Sequence, residues 1–197
     1  MKYPNMIKKE TTKEKKCSSS INYINRGMKF EEEINNANEF YKNNNIALIY
    51  KKPTPIRVVK MFNDKNISGK ICEAYFEQPS TTDYNGIFLG KYIDFEAKET
   101  MNKTSFPLAN IHNHQIEHLL KVVEHGGIGF IIVNFRLLNK IFILDASIVG
   151  EYYKSTKKSI PYSIFEEKGF LVKQGYILTI DYISTVKDIY FSKKSRD

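Results

Sequence analysis

The sequence contains only two cysteines, Cys17 and Cys72, and no long hydrophobic run. Two isolated cysteines form neither a disulfide framework nor a zinc motif, which is typical of a protein from a reducing cytosol. The longest apolar run, residues 128–133, has the length of a strand and falls far short of the ~18 residues needed to cross a bilayer. The N-terminus also lacks the apolar region of a signal peptide. We therefore expect a cytoplasmic protein with no membrane partner.

The net charge of +8 is unevenly distributed along the chain. Residues 1–29 carry eight Lys or Arg against two Glu, and residues 51–70 carry six against one Asp, so the remainder is net acidic. Two basic segments on a mildly acidic body indicate a polyanionic partner, most economically nucleic acid. A solvated lysine-rich surface stays open as the alternative, because many Lys and Asn are also typical of an AT-rich genome.

Residues 1–25 are predicted to form a disordered basic arm, since they contain few apolar residues. The rest shows no internal repeat and no linker, so residues 26–197 are predicted to form one domain. Hydrophobic periodicity predicts an α/β fold, with a mixed sheet flanked by helices. The predicted elements are a helix from Gly27 to Asn43, a strand at 46–50, a hairpin at 56–76, two strands between 83 and 98, a helix at 113–124, strands at 128–135 and 140–144, and C-terminal helices with N-caps at Asp145, Ser163 and Asp181.

The hairpin within residues 53–76 is predicted to project from the domain as a stalk. Pro53 and Pro55 cannot donate to a sheet ladder, so they separate the insertion from the preceding strand. Basic residues alternate there with aromatic and aliphatic ones, a composition that suits phosphate tracking and base stacking. The basic residues are Arg57, Lys60, Lys65 and Lys70. An ordinary hairpin whose aromatic side chains pack on the domain is the alternative.

The stretch from Tyr92 to Lys98 is predicted to be the strand that carries the chemistry. Alternation with period 2 places Asp94, Glu96 and Lys98 on one face. If the preceding turn centres on Leu89 and Gly90, then Asp83 lies opposite Glu96 on the neighbouring strand. Two adjacent carboxylates beside a lysine form a pocket for a divalent metal, because buried charges need partners.

Hydrolysis of a phosphodiester requires this kind of site, since a divalent ion orients the water and neutralises the leaving oxygen. Mg²⁺ prefers one or two carboxylates, which Asp83 and Glu96 supply, and Lys98 is placed to stabilise the transition state. The spacing Asp-(x)₁₂-Glu-x-Lys is the pattern of the PD-(D/E)xK nuclease superfamily. Asp94 is interpreted as a residue that supports the metal ligands or forms a salt bridge, and not as a metal ligand itself. An oxygen of Thr81 or Thr82 is expected to complete the coordination shell of the metal. The alternative is that both threonines only mark the start of the strand.

His114 and His118 lie four residues apart on the next helix, a spacing also used by zinc sites. The HExxH arrangement is absent and no third ligand is evident, so we do not favour zinc. Gln115 is the more relevant residue of this helix, because its amide is placed to reach a metal-bound water.

Several blocks of the sequence together resemble the RecU-type Holliday junction resolvases, a branch of the PD-(D/E)xK superfamily. The resemblance extends over residues 22–191. The blocks are Asn25–Met28, Lys51–Pro55, Glu73–Phe76, Ser80–Gly86, Asp94–Thr100, Asn102–Pro107 and His114–His118.

The resemblance implies a restriction-endonuclease-like fold and a homodimeric, Mg²⁺-dependent endonuclease, with Mn²⁺ as a substitute, that nicks opposed strands of a four-way junction. It implies that Thr81, Asp83, Glu96 and Gln115 hold the metal. It also implies that Lys98 stabilises the transition state and that Glu31 lies near the site. Phe76 would stack on a base from the stalk. A RecA-type recombinase and a branch-migration motor are implied partners.

We therefore predict that residues 26–197 form a nuclease domain that resolves Holliday junctions during recombination and repair. Two alternatives stay open. One is a less selective PD-(D/E)xK endonuclease of repair or restriction, and the other is a DNA-binding or structural protein without catalysis.

Overall fold

The computed structural model describes residues 21–64, 67–76, 81–176 and 178–192, with the backbone alone at 21–28, 62–64, 67–70 and 76. Five helices and ten strands lie in these ranges. They are α1 (Ile21–Asn43), β1 (Leu48–Lys51), β2 (Ile56–Asp64), β3 (Ile67–Phe76), β4 (Tyr84–Phe88), β5 (Lys91–Thr100), β6 (Ser105–Pro107), α2 (Asn113–Glu124), β7 (Ile128–Phe135), β8 (Lys140–Asp145), α3 (Ala146–Lys154), β9 (Ser159–Pro161), α4 (Tyr162–Glu167), β10 (Phe170–Leu171) and α5 (Tyr182–Tyr190).

The main sheet has six strands in the order β1-β4-β5-β7-β8-β10. Strands β5 and β7 run parallel, and the other neighbouring pairs are antiparallel. The parallel pair is connected through α2, as a crossover between parallel strands requires. The predicted class, a mixed α/β sheet flanked by helices, is confirmed.

Hydrophobic cores cover the two faces of this sheet. On one face, α1 and α5 contribute Ile34, Tyr41 and Val186 to a cluster with Phe95 and Phe130. On the other face, residues of α2, α3 and α4 pack against the alternate residues of β7 and β8. Strand β7 is therefore buried on both sides, which explains its apolar run from Ile128 to Val133. This sandwich gives the central strands a rigid position.

Strands β4 and β5 form a hairpin in the register predicted from the sequence. Phe88 pairs with Lys91, and the two residues between them both have positive φ, 47° at Leu89 and 78° at Gly90. Two successive positive φ values are typical of the two-residue turns that match strand twist. At Gly86, an added Cβ would lie 2.1 Å from the carbonyl oxygen of Leu48. Only glycine therefore lets β1 approach β4 this closely.

Strands β2 and β3 form a separate two-stranded sheet, the stalk. The register runs from the pair Ile56 and Phe76 to the pair Asp64 and Ile67, with irregularities between. The described apolar side chains along it are exposed. They are Ile56, Val58, Val59, Met61, Ile71 and Tyr75. The alternative of aromatic side chains packed on the domain is thus contradicted for Tyr75.

The helix ends correct two predictions. The first helix begins at Ile21, before the predicted Gly27, so residues 21–25 are helical although the sequence placed them in a disordered arm. Residues 1–20 of that arm lie outside the described residues.

Asp145 and Asp181 accept hydrogen bonds from the backbone N–H of Ser147 and Ser184, as predicted for N-caps.

Ser163 is not an N-cap. Helix α4 already begins at Tyr162, because β9 ends at Pro161, whose extended backbone (φ −58°, ψ 146°) leads directly into the helix. None of the described helices has the length and apolar character that a bilayer crossing requires.

Candidate active site

The predicted carboxylate pair is brought together by the β4–β5 hairpin. Continuing the register past the pair Tyr84 and Phe95 sets Asp83 opposite Glu96. The backbone N–H of Asp83 donates a hydrogen bond of 3.0 Å to Glu96 Oε2. Asp83 itself lies just before β4 and is partly exposed, so its carboxylate is accessible to solvent. The geometric prediction made from the alternation is confirmed.

Glu96 is fully buried on the central strand, and its pKa is raised to about 7 from an ordinary value of 4.5. Burial is the main cause, because desolvation disfavours the charged form. The nearby Lys98 ammonium lowers the pKa, and the Asp83 carboxylate raises it. A buried carboxylate next to a like charge calls for a cation, and so the site favours one.

Lys98 supplies part of that positive charge. Its ammonium contacts Glu96 Oε1 and lies 4.0 Å from Asp83 Oδ2. The side chain is one-quarter exposed, so it lies between the buried carboxylate and the solvent. A cation at this position can reach a substrate that approaches the open side of the pair.

The donor set fits a divalent metal. Among the described residues, the buried Glu96 Oε1 has the Lys98 ammonium as its partner. A carboxylate oxygen has two lone pairs, so Oε1 can also bind a metal, and Asp83 offers a second carboxylate. No group of three or more His, Cys, Asp or Glu side chains suited to a metal occurs in the described part of the chain. Mg²⁺ is usually bound by one or two protein carboxylates and retains several waters, so a pair of carboxylates suits it.

The two threonines before Asp83 have different environments. Thr82 is buried, and its hydroxyl donates to Asp94 Oδ1. The Thr81 side chain is half-buried and makes no hydrogen bond to the described residues. Of the two hydroxyls, that of Thr81 is the one left for a metal, which keeps the prediction for this residue open.

Gln115 is buried in the first turn of α2, where its Oε1 accepts a hydrogen bond of 3.1 Å from the backbone N–H of His112. This contact caps the start of the helix. No direct bond joins Gln115 to Asp83 or Glu96 among the described residues. Its role at the metal therefore stays a prediction, and helix capping is the role that its contacts give it.

Glu31 lies on α1 and forms an ion pair with Lys51 at the end of β1. Tyr84 connects this pair to the site, because its hydroxyl donates to the Glu31 carbonyl at 3.4 Å and to Asn35 at 3.1 Å. Burial raises the pKa of Tyr84, and the negative charges of Glu31, Asp83 and Glu96 raise it further. The three carboxylates thus surround one phenol, while a catalytic role for Glu31 stays untested.

Asp94 has the largest set of polar contacts near the site. It is fully buried and accepts hydrogen bonds from Lys52 (2.8 Å) and Tyr92 (2.7 Å), and from Thr82. His118 Nε2 lies 3.1 Å from the same carboxylate. The interpretation of Asp94 as a salt-bridged residue is confirmed by Lys52.

Sequence reasoning missed the four partners of Asp94. Period-2 alternation could have found Tyr92, which shares the face of Asp94 two residues earlier. No sequence signal pointed to Lys52 or to His118, because both come from other elements. The contact of His118 with Asp94 also gives this histidine a role that does not need zinc.

Four of the five predicted DNA-binding residues, Arg57, Lys60, Lys70 and Phe76, belong to strands β2 and β3 of the stalk. Arg57 and Lys60 are exposed on β2, away from the main sheet. Lys65 lies outside the described residues, as do the side chains of Lys70 and Phe76. The exposed pair is therefore available to a polyanion.

Comparison with known proteins shows which family the chain belongs to. The family model for Recombination protein U, RecU, matches residues 25–188. A Holliday junction resolvase RecU of Geobacillus sp. (strain WCH70) is 48% identical over 97% of this chain and 98% of its own length. That of Bacillus cytotoxicus is 49% identical over 97% and 96%.

Among solved structures, the chain matches Archaeoglobus fulgidus Hjc, a Holliday junction resolvase from an archaeal hyperthermophile. The identity is 11%, the TM-score is 0.43, and the match covers 73% of this chain and 94% of that chain. The family assignment rests instead on the sequence matches, which cover most of the chain. This protein belongs to the RecU family.

Proposed function

We propose that this chain is a Mg²⁺-dependent endonuclease that resolves Holliday junctions by paired nicks during DNA recombination and repair. The observation that carries the proposal is the buried Glu96 carboxylate, held beside Asp83 and in contact with Lys98. Its relatives are named Holliday junction resolvases, and they match nearly the full length of the chain.

Asp83 and Glu96 would hold the metal, with Thr81 and Gln115 as further oxygen donors. When bound there, Mg²⁺ (or Mn²⁺ as a substitute) supplies Lewis-acid charge and orients the attacking water. Glu96 must be ionised to act as a ligand, and because its pKa is raised to about 7, metal binding near neutral pH would be accompanied by loss of its proton.

Lys98 has the second role. Its ammonium is fixed by Glu96 on one side and reaches the partly exposed edge near Asp83 on the other. A positive charge fixed in this place stabilises the negative charge that develops on the phosphate in the transition state. Because its position is set before the substrate arrives, little reorganisation is required during the reaction.

The stalk would recognise the junction. A lone two-stranded hairpin is only marginally stable in water, and this one exposes six large apolar side chains together with Arg57 and Lys60. Exposed aromatic and basic side chains on a ribbon suit unstacked bases and phosphates at a branch point. Phe76, Lys65 and Lys70 are proposed for the same surface from the sequence alone.

We further propose that the enzyme acts as a homodimer, because paired nicks require two active sites. Exposed apolar residues lie at the sheet edge where Leu48 on β1 pairs with Ile87 on β4, on the same face as Tyr92. The edge patch comprises Ile46, Leu48, Tyr50, Ile87 and Leu89. Clustered apolar residues of this kind mark interaction surfaces.

Ile87→Asp should therefore shift the dimer towards monomer at micromolar concentration in sedimentation velocity, because it places a charge in the edge patch. Leu137→Asp is the matched control, since Leu137 is as exposed but lies in the turn between β7 and β8. An Ile87→Asp protein that stays as dimeric as Leu137→Asp would remove the edge patch as the interface.

The cell compartment proposed for this activity is the cytoplasm, where recombining DNA is found. The RecA-type recombinase and the branch-migration motor stay predictions from the family resemblance, because none of the described contacts points to either.

The decisive test is Glu96→Gln, assayed for nicking of a synthetic four-way junction. We expect nicking to fall more than the ~10–100-fold that loss of an outer metal partner costs, while junction binding without Mg²⁺ is retained. Glu99→Gln is the control on the same strand, because Glu99 points to the other face and pairs with Arg136. Wild-type nicking by Glu96→Gln would show that the assigned site is wrong.

Competition distinguishes the alternatives. A resolvase should prefer the four-way junction to a linear duplex of the same sequence, whereas a less selective nuclease should cleave both. A DNA-binding protein without catalysis would bind in the same way with and without Mg²⁺ and would give no nicked product.

A further inference from the structure

The stalk leaves the domain and returns to it at two neighbouring points, which we call its roots, Lys52 and Thr82. Both roots bind the same buried carboxylate, Asp94. We propose that Asp94 is a positioning residue that fixes the two stalk roots to the catalytic strand, so that junction engagement by the stalk sets the position of Asp83. This inference rests on the proposed roles of the stalk and the carboxylate pair.

The roots are joined to each other as well as to Asp94. Lys52 Nζ donates 2.9 Å to the hydroxyl of Thr82, in addition to its 2.8 Å bond with Asp94 Oδ2. The backbone N–H of Lys52 also donates 2.7 Å to the carbonyl of Asp83. The chain entering the stalk is therefore bonded to the chain leaving it at two places, and both chains are bonded to Asp94.

The body of the domain holds the same carboxylate from the other side. Tyr92 donates from β5 at 2.7 Å, and His118 lies 3.1 Å away on α2. Asp94 itself is inaccessible to solvent, and its strand is hydrogen-bonded to β4 and β7. The roots are thus anchored to a buried residue of an internal strand, rather than to a surface loop.

The path from roots to catalytic pair is short. Thr82 is the residue before Asp83, and the N–H of Asp83 is the group that donates to Glu96. Asp94 precedes Glu96 by two residues on the same strand face. A shift of either root must therefore move the backbone of Asp83 relative to Glu96, or break a bond to Asp94.

A buried carboxylate makes this connection stiff, because removing one donor leaves charge partly unpaired away from water. Simple stabilisation of the fold is the competing explanation. It predicts that every donor to Asp94 contributes alike, whichever element it comes from. The coupling proposal predicts that donors on the roots matter for cleavage more than donors on the body.

Thr82→Val and Tyr92→Phe test this difference, because each removes one hydroxyl that donates to Asp94. Both are made in the full-length chain and assayed on saturating four-way junction with Mg²⁺. We expect Thr82→Val to lower kcat about tenfold, and Tyr92→Phe to lower it less than about threefold, as loss of a positioning contact rather than of binding would do. Junction affinity without Mg²⁺ should stay within about twofold in both.

The same pair is then made in a protein with a shortened stalk, in which an Asn-Gly turn replaces residues 59–73 and joins the cross-strand pair Val58 and Ala74. Once the stalk no longer engages the junction, Thr82→Val should lower kcat by less than about twofold further. Equal losses from the two variants, or an undiminished tenfold loss in the shortened protein, would overturn the proposal.

Two further measurements keep the test decisive. Thr82→Ser retains the hydroxyl and should restore kcat, and Lys52→Met replaces Thr82→Val if the latter does not fold. If the shortened protein has no measurable cleavage, hydrogen exchange at the Asp83 amide is compared with and without junction in chelator. Junction should slow this exchange in the wild type and in Tyr92→Phe but not in Thr82→Val, and the same slowing in all three would overturn the coupling.

Failure of the coupling is distinguishable from failure of the site. If Glu96→Gln abolishes nicking while Thr82→Val and Tyr92→Phe behave alike, the site stands and the coupling falls. If Glu96→Gln cleaves normally, the proposed function falls first.

Discussion

The hairpin β4–β5 lies inside the six-stranded sheet, with β1 on one side and β7 on the other. The stalk hairpin β2–β3 has no strand beside it among the residues that the structure describes. The first is a regular antiparallel ladder with a two-residue turn. The second is interrupted by register irregularities. Both hairpins contain apolar and charged residues, so the difference lies in what surrounds them.

The two hairpins differ most in the burial of their polar side chains. In β5 the polar face is covered by α2, so Asp94 and Glu96 are fully buried and must find partners. On the stalk, the exposed Glu73 carboxylate simply accepts a hydrogen bond from Tyr75. The same residue types are therefore buried with fixed partners in one hairpin and exposed to solvent in the other.

The largest difference between the two hairpins should be in how much their side chains contribute to the free energy of unfolding. Phe95 is fully buried, with its ring centroid 4.9 Å from Tyr84 and 4.9 Å from Phe130. Phe95→Ala should lower the free energy of unfolding by about 3–5 kcal/mol, because it leaves a cavity in the core. Val59→Ala on the exposed stalk should change it by less than about 0.5 kcal/mol. Urea denaturation followed by circular dichroism measures both.

The Val59 variant can break the comparison. If it costs more than about 1.5 kcal/mol, this stalk position is packed against a second copy or another part of the protein, and the two hairpins are more alike than their exposure indicates. A small effect at both positions would instead mean that the Phe95 core tolerates collapse around the lost ring.

A second difference between the hairpins concerns pH. The buried Glu96 carboxyl of β5 should make the stability of the metal-free protein depend on pH. The pKa of Glu96 is raised in the folded state to about 7 from 4.5, so between these values the folded protein binds more protons than the unfolded chain. The free energy of unfolding should therefore fall as pH rises from about 4.5 to about 7. The contribution is fully present below this window and lost above it.

Two variants isolate this contribution, measured by urea denaturation in chelator at a series of pH values. Glu96→Gln should remove the fall, because an amide does not titrate. Lys98→Met should extend the window upward, because the Lys98 ammonium is what lowers the pKa of Glu96. An unchanged slope in Glu96→Gln would assign the dependence to another group.

Much of the buried hairpin could be predicted from the sequence. Period-2 alternation and the turn at Leu89 and Gly90 were sufficient to place Asp83 opposite Glu96, because register follows from turn position and pattern. The helix caps at Asp145 and Asp181 were equally local. The Ser163 prediction was wrong because a strand ending at Pro161 starts that helix earlier than the capping pattern indicates.

The contacts around Asp94 could not be predicted in this way. They join Asp94 to Thr82, His118 and Lys52, which are 12, 24 and 42 positions away in the sequence. Thr82 and Lys52 are the two stalk roots, and His118 lies on α2. Charge alternation identified Asp94 as polar but carried no information on its partners. Likewise, the hydrogen bond that commits Gln115 Oε1 to the start of α2 depends on where the helix begins.

The smallest expected effect concerns the stalk and sharpens the comparison most directly. Replacing residues 59–73 by the Asn-Gly turn should leave the free energy of unfolding nearly unchanged, because the described apolar side chains there are exposed. It should weaken junction binding about tenfold, or about 1.4 kcal/mol, measured by gel shift without Mg²⁺. Affinity for linear duplex should change less than affinity for the junction.

Salt dependence separates electrostatic contact from shape recognition on the same surface. If Lys60 neutralises one phosphate, Lys60→Ala should reduce the slope of log affinity against log salt by about 0.9, whereas Lys187→Ala on α5 should leave it unchanged. The shortened stalk should lose at least as much slope as Lys60→Ala. A junction affinity and slope that survive the truncation would mean that the exposed hairpin meets a protein partner or a second copy, and that the sheet itself recognises the junction.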